Sequence, residues 1–245
     1  MIRIKGIILI LITVSIVSSC GSMYMPNVPA TPMFKEQGEG YLAAHVNTKG
    51  NVSGTAGIAV SNNIAILANG STVNHGLNSN DYFKQWSAEG AIGYFTKTGK
   101  TKKQILEVYG GYGVGNTKDF DQRASVNGYE ISEAREMDFD KIFIQLNYSS
   151  TKNKKINLFG DKRQLNYGTV VRLSRVGMTD FTIDGIQAGK EENYLIEPLF
   201  FTRLELSKGL QLQYTNGFNI GLVKNEYLKA GNSVFTLGLV YNFWK

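Results

Sequence analysis

"KIFIQLNYS", residues 141–149, decides the fold. Ile142, Ile144, Leu146 and Tyr148 alternate with Lys141, Phe143, Gln145 and Asn147. A period of two puts these sets on opposite faces of a β-strand. The same alternation runs through "ILEVYGGYGV" (105–114), with Leu106, Val108, Tyr112 and Val114 against Glu107 and Tyr109. It returns in "LQLQYTNGFNIGL" (210–222), with Leu210, Leu212, Tyr214, Phe218, Ile220 and Leu222 against Gln211, Gln213, Thr215 and Asn219. No stretch carries the period of an amphipathic helix.

Extended along the chain, this pattern predicts strands at 39–47, 52–60, 64–72, 85–96, 103–116, 138–148, 164–176, 193–206, 210–222 and 233–244. Alternation is weakest across 39–72, where short segments are rich in Ala and Gly, so eight strands is the alternative count. Short turn-like connections at 61–63, 97–102 and 207–209 interleave with longer ones at 73–84, 117–137, 177–192 and 223–232. The segments 48–51 and 149–163 break that rhythm.

Antiparallel strands of this kind suit either a soluble barrel or sandwich, or a transmembrane barrel with its apolar face toward lipid. Three features favour the membrane. The polar faces hold Gly, Gln, Asn and Thr rather than a coat of Lys and Glu. Aromatic residues Trp86, Tyr94, Tyr148, Tyr167, Tyr194, Tyr241 and Trp244 cluster at strand ends, as interfacial girdles do. Short turns alternate with long loops. The expected fold is an all-β, up-and-down antiparallel transmembrane barrel. "SVFTLGLVYNFWK" (233–245) resembles the terminal strand of bacterial outer-membrane proteins, with Trp244 and Lys245 added after Phe243.

The leader "MIRIKGIILILITVSIVSSC" has a positive start at Arg3 and Lys5 and an apolar run over 6–17. That run is shorter than the ~20 apolar residues of a membrane-spanning helix. Val17-Ser18-Ser19-Cys20-Gly21 resembles a bacterial lipobox, whose Cys receives a diacylglycerol and an N-acyl chain. Cys20 is the only cysteine, so no intrachain disulfide exists. The expected division is a signal peptide at 1–19, lipidated Cys20 with a proline-rich tether at 20–38, and a barrel at 39–245. Pro26, Pro29 and Pro32 argue for an extended tether outside the core. The residues after Cys20 lack an acidic run, which places the lipid in the inner leaflet and the tether on the periplasmic side. Together, the lipobox, "YMPNVPATPMFKEQGE" (24–39) and a small barrel resemble a poorly characterised family of outer-membrane β-barrel lipoproteins from Bacteroidota-type bacteria. The resemblance implies a bacterial outer-membrane location, loops facing the exterior, and no catalytic residues.

Removing Arg3 and Lys5 with the leader lowers the formal charge from +6 to about +4, too weak a bias for nucleic-acid binding. The expected partners are outer-membrane lipid and other outer-membrane or periplasmic proteins. The basic stretches 97–103 and 151–155 read as solvated turns or contacts for anionic headgroups. "GGYGVGN" (110–116) lies inside a strand, so it is no phosphate loop; its glycines relieve crowding in a narrow barrel. Omptin-like proteases would need an Asp pair facing an Asp-His pair at the rim. The candidates here, Asp119, Asp121, Asp138, Asp140 and His75 near Asp81, do not form an Asp-x-His, and His45 lies elsewhere. A rim hydrolase is therefore the least favoured class. No Ser/His pair suggests a lipid deacylase or palmitoyltransferase. With one Cys and two His, neither a zinc site nor a cofactor beyond the acyl groups on Cys20 is expected. The same loop acids match no calcium-loop spacing.

The polar face carries Glu89, Glu107, Lys141, Arg172, Glu197, Arg203 and Glu205. Arg or Lys facing lipid at the midplane costs ~2–4 kcal/mol, so these point inward. Their mixed sign predicts ion pairs that occlude the lumen, with the four acids facing the three bases. The expected role is non-enzymatic: structural, adhesive or complex-subunit. A narrow pore or transporter is the alternative.

Overall fold

The computed structural model describes residues 22–47, 49–75, 81–100, 102–125, 128–151, 155–158, 160–230 and 233–243. Ten antiparallel strands form the wall: β1 (Gly40–Asn47), β2 (Asn51–Ala59), β3 (Ile64–His75), β4 (Asp81–Thr98), β5 (Gln104–Ser125), β6 (Gly128–Thr151), β7 (Leu165–Ile183), β8 (Glu192–Glu205), β9 (Leu210–Phe218) and β10 (Ser233–Phe243). Each pairs with its sequence neighbour, and β1 pairs with β10 from Gly40↔Phe243 to Asn47↔Thr236. Closure leaves no open sheet edge, which is the condition for a sheet to stand in hydrocarbon. No helix occurs among the described residues. A hairpin of Ile156–Leu158 and Asp161–Arg163 lies outside the barrel sheet.

The faces sort as the alternation requires. Leu42, Ile66, Ile92, Ile144, Leu173, Leu237 and Leu239 are exposed on the outside. Gln85, Glu107, Lys141, Gln145, Asn147, Arg172, Arg203 and Gln213 are buried inside. A soluble barrel would have the reverse arrangement. Trp86, Tyr94, Tyr148, Tyr167, Tyr194 and Tyr241 are all half-exposed on the outer surface; Trp244 lies outside the described residues.

The two ends of the barrel differ. The turn end holds Gly40, Phe243 and the strand ends Ala59 and Ile64, Thr98 and Gln104, Thr151 and Leu165, and Glu205 and Leu210. The loop end holds the strand ends Asn47 and Asn51, His75 and Asp81, Ser125 and Gly128, Ile183 and Glu192, and Phe218 and Ser233. Two expected loops are largely strand. β3 and β4 run to His75 and from Asp81, and β5 and β6 pair as far as Ser125↔Gly128, with a register shift at Asp121/Gln122. Beyond the apolar band this hairpin carries charged residues on both faces, Lys118 and Glu136 on one and Asp119, Glu133 and Arg135 on the other, so its sequence loses alternation while its backbone ladder continues. β9 ends at Phe218, before Asn219, and only Ile220–Gly221 resumes pairing with β8.

The largest departure from the sequence reading is residues 22–38. They run as an extended strap through the lumen rather than as a tether outside the core. Met23, Tyr24, Asn27, Val28, Ala30, Thr31, Met33 and Phe34 are buried. Each of three apolar clusters inside the wall contains strap residues. Phe34 and Ala30 pack with Tyr41, Leu67, Phe95 and Tyr109. Tyr24 and Met23 pack with Met137, Phe139, Phe181 and Leu195. Val28 and Met33 pack with Ile105, Val170, Leu199 and Phe201. The prolines fit because the strap joins no sheet and needs no continuous ladder of N–H donors.

Candidate functional site

The candidate site is the lumen with its strap. A backbone buried without sheet partners must find other hydrogen bonds. Wall side chains supply them, in order along the strap. At the turn end, Gly38 N donates to Ala59 O (2.9 Å) and Asn242 Nδ2 donates to Pro32 O (3.1 Å). Arg203 Nη2 donates to Thr31 O (2.5 Å) and to Thr31 Oγ1 (2.7 Å). Gln145 Nε2 and Asn147 Nδ2 both donate to Ala30 O, at 2.7 and 3.0 Å. Asn69 Nδ2 donates to Val28 O (2.9 Å), and Ser71 and Ser87 donate to Asn27 Oδ1. Gln85 behaves like a strand neighbour: its Oε1 accepts from Met25 N (2.8 Å) and its Nε2 donates to Met25 O (2.7 Å). At the loop end, Met23 N donates to Tyr227 O (3.1 Å) and Ser22 Oγ donates to Lys229 O (2.6 Å). Met33 is the one strap residue other than glycine with positive φ (63°), in the left-handed region.

Beside the strap lies a cluster of four buried charges. Lys141 Nζ stands 3.2 Å from Glu89 Oε1 and 3.5 Å from Glu197 Oε1. Arg172 stands 3.3 Å from Glu89 Oε2 and 3.9 Å from Glu197 Oε2. Two acids and two bases leave the cluster neutral, which a poorly hydrated lumen requires. Lys141 also donates to Tyr24 Oη of the strap (2.8 Å), and Arg172 donates to Gln145 Oε1 (2.7 Å) while its guanidinium lies 4.5 Å from the Phe143 ring centroid. Glu197 is the weakly held member, since neither carboxylate oxygen takes a hydrogen bond among the described residues.

The other expected charges do not join this cluster. Arg203 faces the strap and Gln213 Oε1 (2.8 Å), not an acid, with its guanidinium 5.1 Å from the Phe201 ring. Glu107 faces the phenol of Tyr109 (3.0 Å), Asn147 Nδ2 (3.2 Å) and Phe34 N (3.4 Å), not a base. Glu205 sits half-buried at the turn end, away from the cluster. The lumen is thus closed by the strap as well as by ion pairs. The missed residues are the wall amides Asn69, Gln85, Gln145 and Asn147, whose partners are strap backbone; Arg203 was expected to face inward, but toward an acid rather than toward Thr31. The available signal was the density of Gln and Asn on inward faces.

The glycines of β5 serve the same crowded interior. A Cβ at Gly111 or Gly115 would overlap the ring of Phe143 or Phe139, whereas at outward Gly110 it would meet nothing within 4 Å.

The rim acids are engaged elsewhere. Arg135 pairs with Asp121 (2.5 Å) and Asp119 (3.6 Å), Asp138 accepts from Asn116 (2.7 Å), and Asp140 pairs with Arg175 (3.5 Å). His45 is buried in the lumen, within 3.1 Å of Gln213 Nε2, and His75 ends β3 opposite Phe83. No group of three or more metal-ligating side chains occurs among the described residues. Cys20 lies outside the described residues.

Neither the family models nor the curated proteins give a match to this chain. Among solved structures it is similar to the translocator domain of the autotransporter NalP from Neisseria meningitidis. The identity is 15%, with 82% of this chain and 74% of that one covered, at a TM-score of 0.44. It is also similar to a chain of the FpvAI–pyocin S2 complex, at 10% identity, covering 86% of this chain and 42% of that one, with a TM-score of 0.26.

Proposed function

We propose that this chain is a non-enzymatic outer-membrane barrel, also anchored by acyl groups on Cys20. Its own strap and charge cluster keep the lumen shut. It acts through its loop-end surface, in adhesion, envelope integrity or as a subunit of a larger complex. One observation carries the reading: residues 23–34 are buried in the lumen, Met25 partly, and are hydrogen-bonded to the wall from Met25 to Pro32. A conduit would keep a continuous aqueous path there. The apolar outer face and half-exposed aromatic girdle support the membrane location. The layout of 15–21 supports acylation, in keeping with the resemblance to Bacteroidota-type barrel lipoproteins.

The test is planar-bilayer conductance of the purified full chain. The account expects no steady open state. Sustained ohmic conductance from the wild type would overturn it. A second reading, a pore gated by its strap, is favoured by one feature. The wall beneath the strap is polar, with Asn69, Ser71, Gln85, Ser87, Gln145, Asn147 and Gln213, and would tolerate water if the strap withdrew. Voltage-dependent openings that vanish when the strap is cross-linked to the wall would favour that reading.

A further inference from the structure

The strap has a direction, and the direction has a consequence for membrane topology. Gly38 is held at the turn end by Ala59, beside the closing pair Gly40↔Phe243. Successive contacts then climb the wall through Asn242, Arg203, Gln145, Asn69, Ser87 and Gln85. The last ones are to Tyr227 and Lys229, in the connection between β9 and β10 at the loop end. Ser22 and the two ends of the wall, Gly40 and Phe243, are therefore at opposite mouths of the barrel.

The loop-end mouth is built to receive the strap. Glu191 accepts three backbone hydrogen bonds, from Glu226 N (2.7 Å), Tyr227 N (2.9 Å) and Leu228 N (2.7 Å). Asn193 pins the same connection at Leu228 O (2.7 Å) and Val223 O (3.1 Å). The result is a collar whose carbonyls at Tyr227 and Lys229 take the strap's Met23 and Ser22. Immediately outward, Ile220, Leu222 and Val223 present exposed apolar side chains at the rim.

We infer that the strap is a membrane crossing: it passes through the closed barrel and delivers the chain's N-terminal side to the loop face. On the proposed reading, which this inference rests on, an acyl group at Cys20 is then set down in the leaflet on the loop side. That is the reverse of the inner-leaflet placement that the residues after Cys20 suggest. Because β1 and β10 close the wall, the strap is either enclosed as the barrel closes or threaded through it afterwards.

The test compares the sidedness of three single-thiol variants, Ser22→Cys, Gly189→Cys at the loop end and Lys208→Cys at the turn end, using a membrane-impermeant maleimide on intact and lysed cells. The wild type serves as blank. The inference expects Ser22→Cys to label under the same condition as Gly189→Cys and not with Lys208→Cys. Labelling of Ser22→Cys together with Lys208→Cys would overturn it. A second measurement covers a shielded thiol: Ser22→Cys/Lys229→Cys should form a disulfide on mild oxidation, and its absence in a folded barrel would also overturn the inference. A labelled wild type would instead mean an unacylated Cys20. That outcome sinks the anchor and leaves the crossing to be read from the disulfide.

Discussion

Replacing Lys141 with Met removes one charge from a balanced set of four. The side chain is 1% exposed and pairs with Glu89 at 3.2 Å and Glu197 at 3.5 Å. In Lys141→Met both carboxylates depend on Arg172 alone, at 3.3 and 3.9 Å, and the bond to Tyr24 Oη is lost. At an effective dielectric of about 20, each lost attraction is worth roughly 5 kcal/mol gross. Most of that is offset because Lys141 no longer has to be desolvated. Breaking a buried pair leaves a net cost of about 3–5 kcal/mol, because an uncompensated charge stays behind. Adding Glu197→Gln restores neutrality and should recover more than half of the loss, a coupling that contacting residues show and distant ones do not. The assay is the denaturant midpoint of the barrel in detergent micelles for wild type, both single variants and the double. If Lys141→Met unfolds at the wild-type midpoint, the lumen is wet and the charges are solvated. If the two losses simply add, the residues are not coupled and the cluster is misread.

Other consequences follow from the same geometry. Glu89→Gln should cost more stability than Glu197→Gln, by at least 1 kcal/mol on the scale of single buried hydrogen bonds, since Glu89 has the shorter contacts and Glu197 takes no hydrogen bond from the described residues; equal midpoint shifts would count against this. Gly111→Val should lose about 1–3 kcal/mol or fail to fold by overpacking against Phe143, while outward Gly110→Val should fold at wild-type yield; a reversed pair of yields would mean the register of β5 is wrong. Ile144→Arg, on the lipid face, should cost ~2–4 kcal/mol in bilayers, and no cost in lipid vesicles would argue that this face does not meet hydrocarbon.

Much of the wall was legible in the sequence because each strand has two different solvents. Ile142, Ile144 and Leu146 meet the apolar side, and Lys141, Gln145 and Asn147 meet the polar lumen, so the period of two is unmistakable. The extension of β5 and β6 was not legible, because charged residues stand on both of its faces, Lys118 and Glu136 on one and Asp119, Glu133 and Arg135 on the other. The strap was hidden for the opposite reason. Buried on all sides, Met23, Tyr24, Val28 and Phe34 have no polar face to alternate with, and three prolines make the stretch look like a linker. Inward charges could be read as inward, and the mixed sign of Glu89, Glu197, Lys141 and Arg172 foretold their pairing, but the partners of Arg203 and Glu107 could not be read. Arg203 looked like half of an ion pair because its true acceptor, the Thr31 carbonyl, belongs to a segment that seemed to lie elsewhere. A solvated tether would not carry Met, Tyr, Val and Phe so densely, and that composition was the available clue.

The central claim is that residues 22–38 occupy the lumen, and one cross-link tests it directly. Ser87 Oγ lies 2.5 Å from Asn27 Oδ1, on the inner face of β4. Cysteines at Asn27 and Ser87, introduced together and oxidised in native membranes, should form a disulfide. The pair Asn27→Cys with outward Ala88→Cys should not. Proteolysis of the purified, denatured protein then reads the bond as a linked peptide pair. The account predicts the Asn27–Ser87 link in the folded barrel and none in the control. A folded barrel whose Asn27→Cys reacts freely with reagent in solution and never joins Ser87→Cys would place the strap outside the lumen.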